Sequence, residues 1–193
     1  MKQITAKDFN QAVNSDPAWA SHLTEPVEFK NYFFMVRSGI THLSPYLHFN
    51  GFDLLLQSAC FAECKDLKVA TGHFAGNVDF SGSGVEEISG LYITAPDKCG
   101  NAASFEGCKN LKVAEGRFPG YVDFSDSGIK RIGNLEIEPN KDGLKADFTG
   151  CHDLRLPDKF LGPEYVMEET TRQKNLERNA AAKAQKDQPN FEI

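Results

Sequence analysis

The stretch FAECKDLKVATGHFAGNVDFSGSGVEEISGLYI, residues 61–93, occurs a second time as FEGCKNLKVAEGRFPGYVDFSDSGIKRIGNLEI, residues 105–137. Of the 33 aligned positions, 19 are identical, and no gap is needed. Self-similarity of this length is typical of stacked supersecondary units, each of which buries its apolar face against the next unit. The sequence therefore predicts a stack of repeated units rather than a fold around one compact core.

Two short apolar patterns recur in both copies and beyond them. Leu-x-Val, or a close variant, begins at residues 47, 67, 91, 111, 135 and 154, and Val/Ala-x-Phe ends at residues 61, 80, 105, 124 and 148. Apolar residues two positions apart predict a strand with one buried face. The two patterns alternate along the chain, so each coil of chain is predicted to contain two short strands. In this register we expect Leu67, Leu91, Leu111 and Leu135 to stack as neighbours.

Three segments carry a resemblance to a known family. SACFAECKDLKV (58–69), ASFEGCKNLKV (103–113) and KADFTGCHDLRL (145–156) resemble the Ala-x-Phe-x-x-Cys-x-x-Leu core of leucine-rich repeats of the BspA-like type. The resemblance implies an α/β fold, a leucine-rich-repeat solenoid of mostly short parallel β-strands, with about five to six coils over residues 45–162. Ser83 and Ser127 replace the cysteine in alternate coils. The chain also resembles small leucine-rich-repeat proteins of bacterial prophages, which implies a phage protein that engages a host factor.

The segments on either side of this region do not repeat. Residues 1–44 are predicted to form a helical cap, because Thr5 is typical of a helix start and Asp16 before Pro17 indicates a second short helix. Residues 163–193 are predicted to form a C-terminal helix that starts at Gly162-Pro163, followed by a mobile tail beyond Arg178. Both segments are expected to cover the open apolar ends of the stack.

Charge and hydropathy disfavour several classes of function. The formal net charge is -6, with both signs mixed along the chain, which argues against a nucleic-acid-binding surface. No apolar run reaches the roughly 18 residues that a membrane-spanning helix needs. We therefore expect a cytoplasmic protein that binds neither nucleic acid nor membrane.

The residue types that carry out chemistry do not form a recognisable set. Cys64, Cys108 and Cys151 occupy one position of the repeat, so we expect buried thiols that bind no metal. Cys60 and Cys99 lie outside this series and are the candidates for exposed thiols. No histidine pair has metal-ligand spacing, and no acid, base and nucleophile are placed together. The sequence predicts neither a catalytic site nor a cofactor.

Surface positions remain as candidates for binding. The middle residue of each Leu-x-Val pattern should face outward, and this predicted partner-binding column consists of His48, Lys68, Tyr92, Lys112, Glu136 and Arg155. The Val/Ala-x-Phe patterns give a second, largely acidic column of Cys60, Asp79, Ser104, Asp123 and Asp147. Either column could also be an ordinary solvated surface.

Three functions follow from this reasoning. We favour a non-enzymatic protein–protein interaction module, because stacked repeats present long surfaces of aligned side chains. The alternative is a structural or assembly component that forms homo-oligomers through its C-terminal helix. An enzyme is the least favoured function, because no catalytic set is visible.

Overall fold

The computed structural model of the protein describes residues 1–186 and shows an α/β fold with parallel strands. In chain order the strands are β1 (Lys2–Gln3), β2 (Val27–Phe29), β3 (Phe33–Phe34), β4 (Leu47–Phe49), β5 (Gln57–Cys60), β6 (Val69–Phe74), β7 (Asn77–Asp79), β8 (Glu87–Ile93), β9 (Asn101–Ser104), β10 (Val113–Phe118), β11 (Tyr121–Asp123), β12 (Arg131–Ile137), β13 (Ala146–Asp147) and β14 (Tyr165–Val166). The helices are α1 (Ala6–Ser15) and α2 (Glu169–Lys186), and short 3₁₀ turns occupy Trp19–His22 and Asp158–Phe160.

The chain passes back and forth between two sides of the molecule. On the first side, β1, β2, β4, β6 and β8 form one sheet in that order, and β10 and β12 form a separate pair. β8 and β10 lie beside each other, although no ladder pairing joins them within the described residues. On the second side, β3, β5, β7, β9, β11, β13 and β14 form one uninterrupted sheet. The first side therefore contains β1 and the even-numbered strands from β2 to β12, and the second side contains the odd-numbered strands from β3 to β13 together with β14.

The strand register of the second sheet is the register that the Val/Ala-x-Phe pattern predicts. Ala59 pairs with Val78, Val78 with Ala103, Ala103 with Val122, and Val122 with Ala146. The phenylalanines that follow these residues form a buried stack with ring centroids 5.3–5.6 Å apart, and they are Phe61, Phe80, Phe105, Phe124 and Phe148. Because one face of each strand is buried, a shift by one residue would expose this whole set. The predicted register on this side is confirmed.

The register on the first side differs from the prediction. Leu91 pairs with Gly72, and Leu135 pairs with Gly116, so the leucines at 67, 91, 111 and 135 do not stack as neighbours. Val85 is next to Leu67 instead, because Glu86 N–H donates to the carbonyl of Lys68 at 2.8 Å. The Leu-x-Val pattern thus occurs at two positions relative to the strands of the first side. In one coil it begins just before the strand, and in the next coil it lies at the end of the strand. Within the paired segments, β8 has one residue more than β6, and β12 has one residue more than β10. A β-bulge in β8 and in β12 accommodates this additional residue.

The repeated cysteines are structural. Cys64, Cys108 and Cys151 are buried and form no disulfides, as predicted. The thiol of Cys108 donates to the carbonyl of Phe80 at 3.1 Å and lies 3.4 Å from the hydroxyl of Ser83. Cys64 and Cys151 make the same kinds of contact with their own neighbours. Cysteine and serine therefore alternate through the stack because the two side chains bind each other.

The prediction of an exposed Cys60 is wrong, whereas Cys99 is exposed. Only 5% of Cys60 is exposed, because its thiol lies in the second sheet against the carboxylate of Asp79, 3.6 Å away. Burial is also the main cause that raises the pKa of the Cys60 thiol to about 11. The alternating pattern places Cys60 on the outer face, but its cross-strand neighbours cover it.

The N-terminal segment begins with the predicted helix. Thr5 and Asp8 form a capping box: the Thr5 hydroxyl accepts from Asp8 N–H at 3.1 Å, and the Asp8 carboxylate accepts from Thr5 N–H at 3.0 Å. The helix buries Phe9 against Phe29 and Phe33, with ring centroids 5.4 and 5.1 Å away. β2 and β3 then join the first and second sheets, so residues 27–34 continue both sheets.

The C-terminal segment differs from its prediction in where the helix starts. Tyr165 and Val166, which were expected to be helical, form β14, because Tyr165 pairs with Ala146 at the end of the second sheet. Helix α2 begins at Glu169 and continues to Lys186. The last part of the predicted mobile tail, residues 187–193, lies outside the described residues. No helix in residues 1–186 is long and apolar enough to cross a membrane.

Candidate partner-binding face

The six residues of the predicted partner-binding column lie in two separate rows on the first side. Strand pairing places His48 and Tyr92 in the first row together with Glu28 and His73, and it pairs Glu136 with Arg117 at the equivalent position of β10 and β12. The pattern missed Glu28, His73 and Arg117. Lys68, Lys112 and Arg155 lie in the second row, just before the strands or outside them. The prediction of one column is therefore wrong, for the same reason as the leucine register.

The first row contains a stack of aromatic rings, which we call the ring ladder: His48, His73 and Tyr92. The imidazole rings of His48 and His73 are parallel, with centroids 4.3 Å apart, and the ring of Tyr92 stacks on His73 at 4.8 Å and 11°. These distances match the spacing of about 4.8 Å between neighbouring strands. Tyr92 is 60% exposed at the end of the ladder. The ladder is thus a rigid aromatic surface in contact with solvent.

The surroundings of His48 in the ring ladder favour its neutral form. Burial lowers the pKa of His48, and the neighbouring His73 lowers it further, whereas the carboxylate of Glu28 acts in the opposite direction. Two stacked imidazoles cannot both be charged without repulsion. The lowered pKa of His48 therefore favours an uncharged ring at this end of the ladder at neutral pH.

The first side is interrupted beside Tyr92, and a proline stands at one of the hydrogen bonds missing from this joint. At four other joints, a backbone N–H donates to the neighbouring strand: Asn50 to Phe29 O (2.9 Å), Ala75 to Phe49 O (2.9 Å), Thr94 to Phe74 O (2.8 Å) and Glu138 to Phe118 O (2.9 Å). At the joint between β8 and β10, the corresponding donor would be residue 119 and the acceptor Ile93. Residue 119 is Pro119, which has no N–H. The bond to Ile93 is therefore missing.

The interruption continues along the whole of this joint. Lys68 N–H donates to Thr41 O and Arg155 N–H donates to Lys130 O, both at 2.9 Å. The equivalent bond from Lys112 does not occur among the backbone hydrogen bonds of residues 1–186. On the second side, β9 pairs with both β7 and β11, so that sheet stays continuous beside this joint. The two copies of the repeated stretch are therefore connected on one side and separated on the other.

The separation produces a surface groove of about 780 Å³, which we call the joint groove. Its polar and aromatic lining includes Ser89, Tyr92, Glu115, Arg117, Pro119 and Glu138. The Arg117 guanidinium forms ion pairs with Glu138 at 3.5 Å and with Glu136 at 4.0 Å. Gly90, at φ +62°, forms the bulge of β8 at the edge of the groove. Bulges are frequent beside functional sites.

The second row of predicted residues is a mainly basic corner. Lys68 forms an ion pair with Glu86 at 2.9 Å. Arg155 lies opposite Arg131 in a parallel bridge, and the backbone connects Lys112 to Lys130. These side chains are largely exposed. Because exposed ion pairs contribute little to stability, this corner has no strong structural role.

The acidic column has the predicted register but has a structural role. Cys60, Asp79, Ser104, Asp123 and Asp147 follow one another across the second sheet. Each of the three carboxylates accepts a hydrogen bond from the backbone N–H two residues later, at 2.7–2.8 Å. Aspartate commonly closes a turn in this way. The column therefore supports the turns after β7, β11 and β13.

The side-chain clusters and the comparisons with known proteins leave the first side as the best candidate. Within residues 1–186, no group of three or more His, Cys, Asp or Glu side chains is placed to hold a metal ion. No protein-family model, curated protein or solved structure matches the chain. The ring ladder and the joint groove are therefore the features from which a function can be inferred.

Proposed function

We propose that this protein is a non-enzymatic interaction module that binds a partner protein on its first side. The single observation that carries this proposal is the exposed ring ladder, whose last member, Tyr92, lies at the edge of the joint groove. Tyrosine is enriched at binding hot spots because it offers a large, rigid contact surface at low entropic cost. A rigid strand-bearing surface can present such side chains without reorganisation.

The proposal includes the architecture that the sequence resemblance implies. We propose that residues 45–162 form a leucine-rich-repeat solenoid, with residues 1–44 as a cap at one end and residues 163–193 as the C-terminal segment. Parallel pairing of strands from successive passes of the chain supports this proposal, as does the alternating cysteine–serine column. In such a stack the outward side chains of neighbouring coils form continuous rows.

A further part of the proposal concerns the partner and the compartment. A phage-encoded protein that engages a host factor in the cytoplasm stays a prediction from the sequence resemblance. Self-association through α2 also stays a prediction. The inner side of α2 contacts the rest of the molecule through Thr171, Asn175 and Asn179, and the large apolar residue exposed on α2 is Leu176, at 43%. Sedimentation of the purified protein tests this alternative.

The proposed function is tested by comparing what wild-type and variant proteins capture from a bacterial lysate. The test variant is His73→Ala/Tyr92→Ala, which removes two of the three rings of the ladder. The matched control is Ser104→Ala/Glu106→Gln on the second sheet. Surface changes usually cost under about 0.5 kcal/mol each, so both proteins should fold. We expect a partner that wild type and control capture and that the test variant loses; equal capture by all three would refute the proposal.

The basic corner is tested separately by Lys68→Ala/Lys112→Ala. If these lysines attract an acidic partner, the variant should slow association and reduce its dependence on salt, with little change in dissociation. Surface plasmon resonance at two salt concentrations measures both rates. An unchanged association rate would exclude the corner from the binding surface and leave the ring ladder as the candidate.

A further inference from the structure

We propose that the joint groove holds an arginine side chain of the partner protein, with its guanidinium stacked on Tyr92. This inference rests on the proposed function and specifies the chemistry of the same face. It follows from three properties of the groove, which are an uncovered aromatic face, a set of hydrogen-bond acceptors and an excess of negative charge.

The first property is the outer ring face of Tyr92. One face of this ring stacks on His73 at 4.8 Å, so the other face points away from β6, toward β10. Arg117, which lies in β10, forms ion pairs with Glu136 and Glu138. The cation–π contacts of the described residues involve Tyr165 and Phe160 rather than Tyr92. The ladder therefore ends in an aromatic face on which a planar group can stack.

The second property is the chemistry of the polar lining. Glu115 and Glu138 contribute carboxylates, and an ionised carboxylate can accept hydrogen bonds but cannot donate them. The backbone contributes the carbonyl of Ile93, which does not receive the bond that an N–H at residue 119 would donate. A suitable ligand therefore has several hydrogen-bond donors.

The third property is charge. Two carboxylates, Glu115 and Glu138, face one cation, Arg117, within the lining. Arg117 pairs with Glu138 and, outside the lining, with Glu136, so one cation faces three glutamates and the groove keeps a net negative charge. The groove thus favours a cationic ligand over a neutral or an anionic one.

Guanidinium satisfies all three properties at once. It is planar, permanently charged and carries five N–H donors, and it stacks on aromatic faces. A lysine ammonium has the charge but cannot stack as a plane, and a phenylalanine ring can stack but leaves the acceptors without donors. The volume of about 780 Å³ also leaves room for backbone on either side of the arginine. Grooves of this size are typical of sites for small ligands and peptide segments.

The test uses short blocked peptides and the ¹⁵N-labelled full-length protein. Acetyl-Gly-Arg-Gly-amide is titrated beside its lysine, citrulline and phenylalanine counterparts, and amide shifts are followed by NMR. Citrulline keeps the planar shape of arginine without its charge. We expect the arginine peptide to shift residues 88–94 and 113–119, and to bind about tenfold more tightly than each of the other three. Equal binding of the lysine peptide, or tighter binding of the phenylalanine peptide, would overturn the inference.

Three variants connect the binding to the groove. Pro119→Ala restores an N–H at the joint, as Ala75 provides one in the first copy, and should reduce binding of the arginine peptide about tenfold. Tyr92→Leu and Glu138→Gln should weaken it separately, and Glu106→Gln on the second sheet should leave it unchanged. If the first three variants bind the arginine peptide like wild type, the inference is wrong. The lysate experiment could still succeed in that case, so failure of this inference is distinguishable from failure of the proposed function.

Discussion

Helix α2 closes the last edge of the first side with a side-chain amide, and replacement of that amide should be costly. Asn175 is 1% exposed, and its oxygen accepts from Leu156 N–H at 3.0 Å. Its nitrogen donates to Leu154 O at 3.1 Å and to Thr171 O at 3.0 Å. The amide thus bonds the backbone of residues 154–156 much as a further strand would.

The size of the effect follows from these bonds. Asn175→Ala leaves the N–H of Leu156 and the carbonyl of Leu154 without this partner. A buried backbone group without a hydrogen bond costs about 1–3 kcal/mol, so the two groups together cost about 2–6 kcal/mol. Alanine is a better helix former than asparagine by up to about 0.7 kcal/mol, which offsets part of the loss. The free energy of unfolding should therefore fall by about 1–5 kcal/mol.

Asn179→Ala is the matched control, because it makes the same substitution one turn later in the same helix. The nitrogen of Asn179 donates to Leu156 O at 2.9 Å and to Asp158 at 2.8 Å, but the residue is only half-buried, so water can replace these bonds. We expect a loss of about 0.5–1.5 kcal/mol. Urea unfolding followed by circular dichroism measures both values. A loss below about 0.5 kcal/mol for Asn175→Ala, or equal losses for the two variants, would refute the argument.

Three further predictions concern the joints, the thiols and pH. Ala75→Pro should lower the free energy of unfolding by about 1–3 kcal/mol through loss of its ladder bond. Pro119→Ala should stay within about 1 kcal/mol of wild type, since the new bond offsets the lost rigidity of proline. If urea unfolding showed Pro119→Ala to be the less stable of the two variants, both expectations would be contradicted. Burial raises the pKa of the Cys108 thiol to about 11, so labelling of the native protein at pH 8 should modify the exposed Cys99 first, and rapid labelling of Cys108 would be inconsistent with the buried column. Burial lowers the pKa of His48 on folding, so protonation of His48 favours the unfolded state. The free energy of unfolding should therefore be highest above the unfolded pKa of about 6.5 and should fall as the pH drops below that value. If a His48→Gln variant showed the same fall, another group would be its cause.

Several features of the fold could be predicted from the sequence because they depend on local spacing. The Val/Ala-x-Phe pattern specifies the register of the second sheet, since a shift by one residue would expose the buried phenylalanine that directly follows each strand. The capping box of Thr5 and Asp8 involves residues three positions apart, so it is visible without a tertiary structure. The burial of Cys108 follows from its repeat position between Phe105 and Leu111.

Only the tertiary structure decided the register of the first side. Leu67 and Leu91 begin the same pattern, but Leu67 precedes β6 while Leu91 lies within β8. A short pattern cannot distinguish these two positions along a strand, because the apolar residues are buried in both. The pairing of Gly72 with Leu91 depends on a bulge in β8, and a bulge is a relation between two strands. The true ring ladder, with His73 between His48 and Tyr92, therefore could not be derived from the column of middle residues.

The sequence by itself determined that two similar stretches alternate short strands with buried faces, and it displayed Pro119 where the first copy has Ala75. The tertiary structure decided that this position donates the hydrogen bond that joins β10 to β8, so a missing N–H opens a groove beside Tyr92. It also decided that Asn175 closes the last edge. The physical reason is the same in both cases: a residue's type shows which hydrogen bonds it can make, but only the neighbour across the joint shows which bond is made or lost.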